Sequence, residues 1–197
     1  MIWNDFIKRF GADSKSGLRF DRVLQHVTFP YVTVEQKGRH ADLEREAEER
    51  SGMHQLGGLG RKDMKYFFDW LYNKGVRHII EVSVKDYGDS DEMVHSDKAI
   101  QESLERFVIE RLDWQKTDLD PETILHVSSK ALAKRSPTSE NPDGVELIPD
   151  RQLRELCLRW GGSNAVLRAW SEPEGLAMLP QLRKIYLFRP PSHKARK

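Results

Sequence analysis

The densest group of potentially reactive side chains in this sequence is Asp86, Asp89, Asp91, Glu92, His95 and Asp97, crowded into one polar stretch. Carboxylates with one imidazole at short spacing form a donor set that suits a hard divalent cation. Asp86, Asp89, Asp91 and His95 therefore stand as candidate metal ligands. Their spacing follows no calcium-loop template, because Gly88 is out of place and no closing glutamate falls at the required position. A solvated acidic loop is the plainer expectation, and no cofactor is expected.

Other chemistry is sparse. The seven histidines are scattered, and no two form a His-x-x-x-His pair. His78 opens an expected strand and His126 sits in an expected helix, where hydrogen-bonded structural roles are usual. Cys157 is the only cysteine, which excludes an internal disulfide and a cysteine-based zinc site. Its position between Leu156 and Leu158 suggests a buried structural thiol rather than a nucleophile. Neither a Gly-x-Ser-x-Gly elbow, a phosphate-binding loop nor a dinucleotide fingerprint occurs. The run Gly57-Gly58-Leu59-Gly60-Arg61-Lys62 is glycine-rich and basic ahead of a helix, but without a preceding strand it reads as a linker. Trp114, Trp160 and Trp170 lie at the ends of expected core elements. They are candidate partner-binding residues, with core packing as the alternative.

These side chains must be positioned by a strand–helix alternation that starts at Asp63. Met64, Phe67, Phe68, Leu71 and Tyr72 recur at helical spacing, and Gly75 stands where a C-terminal glycine cap belongs. Strands are expected over Arg77–Val84, Val108–Trp114, Leu153–Trp160 and Arg183–Phe188. Helices are expected from the Ser96 cap over Asp97–Arg106, from Asp120-Pro121 through Val127-Ser128, and over Asn164–Trp170. A turn or short helix is expected over Pro173–Leu179. Alternation at about thirty residues for two of the intervals, and longer where the proline-rich insertion intervenes, favours parallel strands joined by right-handed crossovers. The fold class is thus α/β, with short parallel strands alternating with helices. Either an open sheet or an irregular leucine-rich-repeat-like solenoid satisfies it, the latter on Leu153-x-x-Leu156-x-Leu158 and Leu179-Pro-x-Leu182-x-x-Ile185-x-Leu187.

Around this core the expected organisation is an amphipathic N-terminal arm over residues 1–21, carrying Ile2, Trp3, Phe6, Ile7 and Phe10 on one face. A single domain over residues 22–188 follows, with a flexible segment at 37–61, a proline-rich insertion at 133–149 and a basic tail at 189–197. Within Val23–Val34, two β-prone pieces flank Pro30, whose missing donor places them at a sheet edge or a bend.

Composition closes off several function classes. Thirty-two basic against thirty-one acidic residues give a net charge of +1, which supplies no field for nucleic acid or an anionic membrane. The residues at the start do not form a signal peptide, and no apolar run approaches the ~18 residues of a membrane span. A cytoplasmic or nuclear protein is expected, with no nucleic acid or membrane among its partners.

Several phrases together carry a family resemblance. They are His26-Val-Thr-Phe-Pro30 before Gly38-Arg39, Phe68-Asp-Trp-Leu71 with Lys74-Gly-Val-Arg77-His-Ile-Ile80, His95-Ser-Asp-x-Ala-Ile100 and Leu112-Asp-Trp114. The longest is Gly162-Ser-Asn-Ala-Val-Leu-Arg-Ala-Trp-Ser-Glu-Pro-Glu-Gly-Leu176. From about Arg22 to Phe188 the chain resembles the region that precedes the catalytic domain in fungal intracellular subtilisin-like serine proteases. The catalytic motifs themselves do not occur here. Asp86-Tyr-Gly88 matches the aspartate motif only loosely, and the His-Gly-Thr and Gly-Thr-Ser contexts are absent from the sequence. The resemblance implies an accessory domain for sensing or partner recognition, with a protein partner or its own protease domain as ligand. The residues leave open two other functions, a small metal-dependent enzyme built on Asp86–Asp97 and a protease prodomain or inhibitor.

Overall fold

The apolar residues of this chain repeat as triads spaced three and then two residues apart, and each triad lies in, or begins just before, one strand of the same sheet. The triads are Leu24/Val27/Phe29, Ile79/Val82/Val84, Ile109/Leu112/Trp114, Leu153/Leu156/Leu158 and Leu182/Ile185/Leu187. In the computed structural model, which describes residues 18–32, 61–86, 94–129 and 152–189, the strands are β1 (Val23–Phe29), β2 (His78–Val84), β3 (Val108–Trp114), β4 (Glu155–Arg159) and β5 (Lys184–Phe188). Between them lie helices α1 (Asp63–Asn73), α2 (Asp97–Leu104), α3 (Pro121–Leu125) and α4 (Asn164–Ser171), and a 3-10 turn at Leu176–Met178.

All strand pairs are parallel and the spatial order is sequential, β1-β2-β3-β4-β5. Sequential order with crossovers of one hand carries every connecting helix to the same side of the sheet. The core agrees: the triads of β1 to β4, with Leu182 just before β5, share one cluster with Met64, Phe67, Phe68 and Leu71 of α1, Ile100 and Leu104 of α2, Ile124 of α3 and Trp170 of α4. The fold is therefore α/β, an open parallel sheet wound in one direction, with helices on one face.

Local signals explain the helix boundaries. Ser96 caps α2 by accepting a hydrogen bond from Ala99 N at 3.2 Å, and Pro121 opens α3 at the position that needs no donor. Gly75, at φ 96°, takes the left-handed turn that releases the chain from α1 into β2. Helix α3 is shorter than its sequence suggests. It stops at Leu125, and Ser128 adopts φ 65° so that its hydroxyl can accept from Ile109 N at 3.2 Å. Strand β4 likewise begins at Glu155 rather than Leu153. Pro30 ends β1, which lies at a sheet edge. Most of the expected N-terminal arm, almost all of the flexible segment, the insertion and the basic tail beyond Arg189 fall outside the described residues.

Candidate functional site

The ends of parallel strands are where α/β sheets usually bind ligands, and here Asp86 follows the end of β2 beside Trp114, the last residue of β3. Asp86 is 0% and His95 1% exposed, so the expectation of a solvated loop does not hold for these two residues. Asp86 accepts from His95 N at 3.0 Å, from His95 Nδ1, and from Trp114 Nε1 at 2.7 Å. Met64 N, in the first turn of α1, donates to His95 Nε2 at 3.2 Å. Because Nε2 accepts, the ring proton sits on Nδ1 and points at Asp86. The imidazole thereby satisfies one of the orphan donors at the α1 N-terminus.

This arrangement is a buried knot that ties β2, β3, α1 and the entry to α2 together. Both Asp86 oxygens and both His95 nitrogens are committed to protein partners, so the pair offers a metal no free ligand atoms. Asp89 and Asp91 lie outside the described residues. Among the described residues, no group of three or more His, Cys, Asp or Glu side chains is arranged to hold a metal ion.

The candidate tryptophans separate. Trp114 is buried and stacks on Phe68 with ring centroids 6.2 Å apart. Trp170 is buried too, donating to Leu119 O at 2.8 Å. Neither offers its ring to a surface partner, because each is needed to fill the space between sheet and helices. Trp160 is half-buried, packs against the core edge and donates to Ser163 O at 2.8 Å. Of the three it alone keeps part of its ring accessible.

The sheet face opposite the helices was not legible as a site in the sequence. Register places His26, Glu81, Arg111, Glu155 and Lys184 in one row across all five strands. Each neighbouring pair is in contact: His26 is hydrogen-bonded to Glu81 at 3.0 Å, and ion pairs join Arg111–Glu81 at 3.5 Å, Arg111–Glu155 at 3.6 Å and Lys184–Glu155 at 3.0 Å. Glu110 adds a smaller group, meeting His78 at 3.0 Å and Arg154 at 3.2 Å. Beyond it, Thr28, Ser83 and Asp113 are in register across β1 to β3 and Cys157 is in register with Tyr186 across β4 and β5, with Arg159 paired to Asp113.

Electrostatics on this face follow from the ladder. The hydrogen bond from Lys184 holds the Glu155 carboxyl below its ordinary range, and the same bond raises the Lys184 ammonium. Burial opposes the charge on Arg111, but Glu81, Cys157 and Glu155 outweigh it and keep the guanidinium above its usual range. Burial, helped by Asp113, pushes the Cys157 thiol up, which is the opposite of what an activated nucleophile needs.

The fold and this face define a class: an open all-parallel α/β sheet that clothes one side in helices and lines the other with paired charges. The chain matches no family model, no curated protein and no solved structure. No helix among the described residues is long and apolar enough to cross a membrane.

Proposed function

We propose that this chain is a non-catalytic recognition or regulatory domain that works in the cytoplasm beside a subtilisin-like serine protease. Its open sheet face would receive a protein partner, foremost the protease domain itself. The observation that carries the reading is the five-strand row of paired charges on a face that no described helix covers. Alternating charges fix register and reject mismatched partners more effectively than they add raw affinity. The face also supplies no activated nucleophile, since Cys157 is the only thiol and its pKa is raised.

The test is calorimetric titration of this chain with a subtilisin-like catalytic domain of matching origin. Micromolar binding, weakened at least about tenfold by Arg111→Glu in a chain that still unfolds cooperatively, is the expected result. Absence of heat, or binding indifferent to that reversal, overturns the use of this face. Protease assays on the same samples distinguish a regulatory domain from an inhibitor, which would abolish turnover at stoichiometric concentration.

A further inference from the structure

The two edges of the sheet are finished differently. At β1 the triad is covered: Val27 is buried, and Phe29 packs on Phe67 and Phe68 at centroid distances of 5.3 and 5.5 Å. At β5 the equivalent residues are bare. Ile185 is 49% and Leu187 51% exposed, whereas Leu156 and Leu158, their register partners on β4, are 0% and 1% exposed. Every residue of β5 is exposed, and among the described residues β4 is its only strand neighbour. An edge of this kind, aliphatic and unblunted by proline or a bulge, is a template for another strand.

The ladder states what that strand should carry. Its signs alternate from Glu81 through Arg111 and Glu155 to Lys184, so the row ends on a cation with an acid on only one side. The position beyond Lys184 calls for a carboxylate, by the same cross-strand complementarity that operates in the interior. The positions beyond Ile185 and Leu187 call for aliphatic side chains.

We propose that β5 is a docking edge for an extended acidic–aliphatic segment of a partner protein. The segment would add as a sixth parallel strand, with a glutamate or aspartate beside Lys184 and aliphatic residues beside Ile185 and Leu187. Main-chain hydrogen bonds to β5 supply the affinity, and the carboxylate sets the register. This deepens the recognition reading, on which it rests, by naming one edge and the chemistry of what binds there.

The probe is a peptide of the β4 sequence, residues 153–159 with Cys157→Ser, which presents Glu155, Leu156 and Leu158 in the required order. Titrated into the isotopically labelled full chain, it should shift the amide resonances of β5 and leave those of β1 unmoved. Replacing the peptide glutamate by lysine should weaken binding roughly fivefold, and Lys184→Glu in the protein should invert that preference. Ile185→Lys, at an exposed position, should abolish binding without altering the melting curve. No shift on β5 at about 1 mM peptide, or a shift indifferent to the charge swap, overturns the proposal. Concentration-dependent dimerisation that Ile185→Lys abolishes also overturns it, by making a second copy the occupant. Protease binding indifferent to Arg111→Glu while the peptide still shifts β5 would mark failure of the open face alone, and protease binding weakened by Arg111→Glu with no peptide shift on β5 would mark failure of the edge alone.

Discussion

Residues Asp86, His95 and Trp114, at the ends of the inner strands β2 and β3, and Lys184 to Phe188, on the edge strand β5, solve opposite problems. The first group takes charged and polar atoms out of water and satisfies each one internally. The second leaves aliphatic side chains in water and keeps its charges at the surface. A buried carboxylate that accepts three hydrogen bonds specifies one arrangement of the elements around it, and is costly to disturb. An exposed strand edge contributes little to the fold and is free to serve something else. Polarity alone therefore says little about which region is the functional one.

The comparison can be broken most forcefully at Asp86. Asp86→Ala strands the Trp114 and His95 donors in the core, and should lower unfolding free energy by about 3–5 kcal/mol in a denaturant titration. A loss under about 1 kcal/mol would mean that the knot does not hold these elements together. A same-row pair comes next. Leu156→Ala should cost about 2–4 kcal/mol, while Ile185→Ala, its exposed neighbour in register, should cost under about 1 kcal/mol. Equal losses would show that β5 is covered in solution. Trp114→Phe keeps an aromatic ring against Phe68 but removes the indole donor to Asp86 and part of the buried ring volume, so about 1–3 kcal/mol is expected, less than for Asp86→Ala.

The smallest effect is the pH response of the β5 edge. Glu155 has a lowered pKa in the folded state, so its contribution is present above the ordinary glutamate range and is lost as pH falls through the folded value. Lys184 has a raised pKa, so its contribution is full below the ordinary lysine range and disappears as pH rises through the folded value. The protection factors of the β5 amides, with base-catalysed intrinsic exchange divided out, should therefore be highest between those two limits and fall on both sides, and Glu155→Gln should flatten the acid limb. A profile unchanged by that substitution would remove the pair from the account of the edge.

Much of the fold was readable in the residues. The β-branched strands, the Ser96 cap, the Asp120-Pro121 start and Gly75 are local signals, and each element appears where its signal lies. The triad of β1 was harder to join to the others because Pro30 ends it and more than thirty residues separate it from α1. The buried knot was illegible for a different reason. Asp86 and His95 bracket an acidic stretch that looks solvated, and only their positions beside a strand end and the Ser96 cap hint that they turn inward. The charge ladder depends on register between strands joined by connections of unequal length, and no single segment of sequence encodes that register.

The one-directional winding has a consequence for how this molecule comes apart. Among the described residues each strand pairs only with the strands before and after it in the chain, α1 packs on α2 and α2 on α3, and the 3-10 turn joins α3 to α4. Cooperativity in such a stack is handed from neighbour to neighbour instead of being shared through a central hub. Unravelling should start at β5, peel back through β4 and stall at the knot between β2 and β3. A strand added at β5 would then act as a clasp, slowing the loss of the whole stack by holding its loosest layer shut.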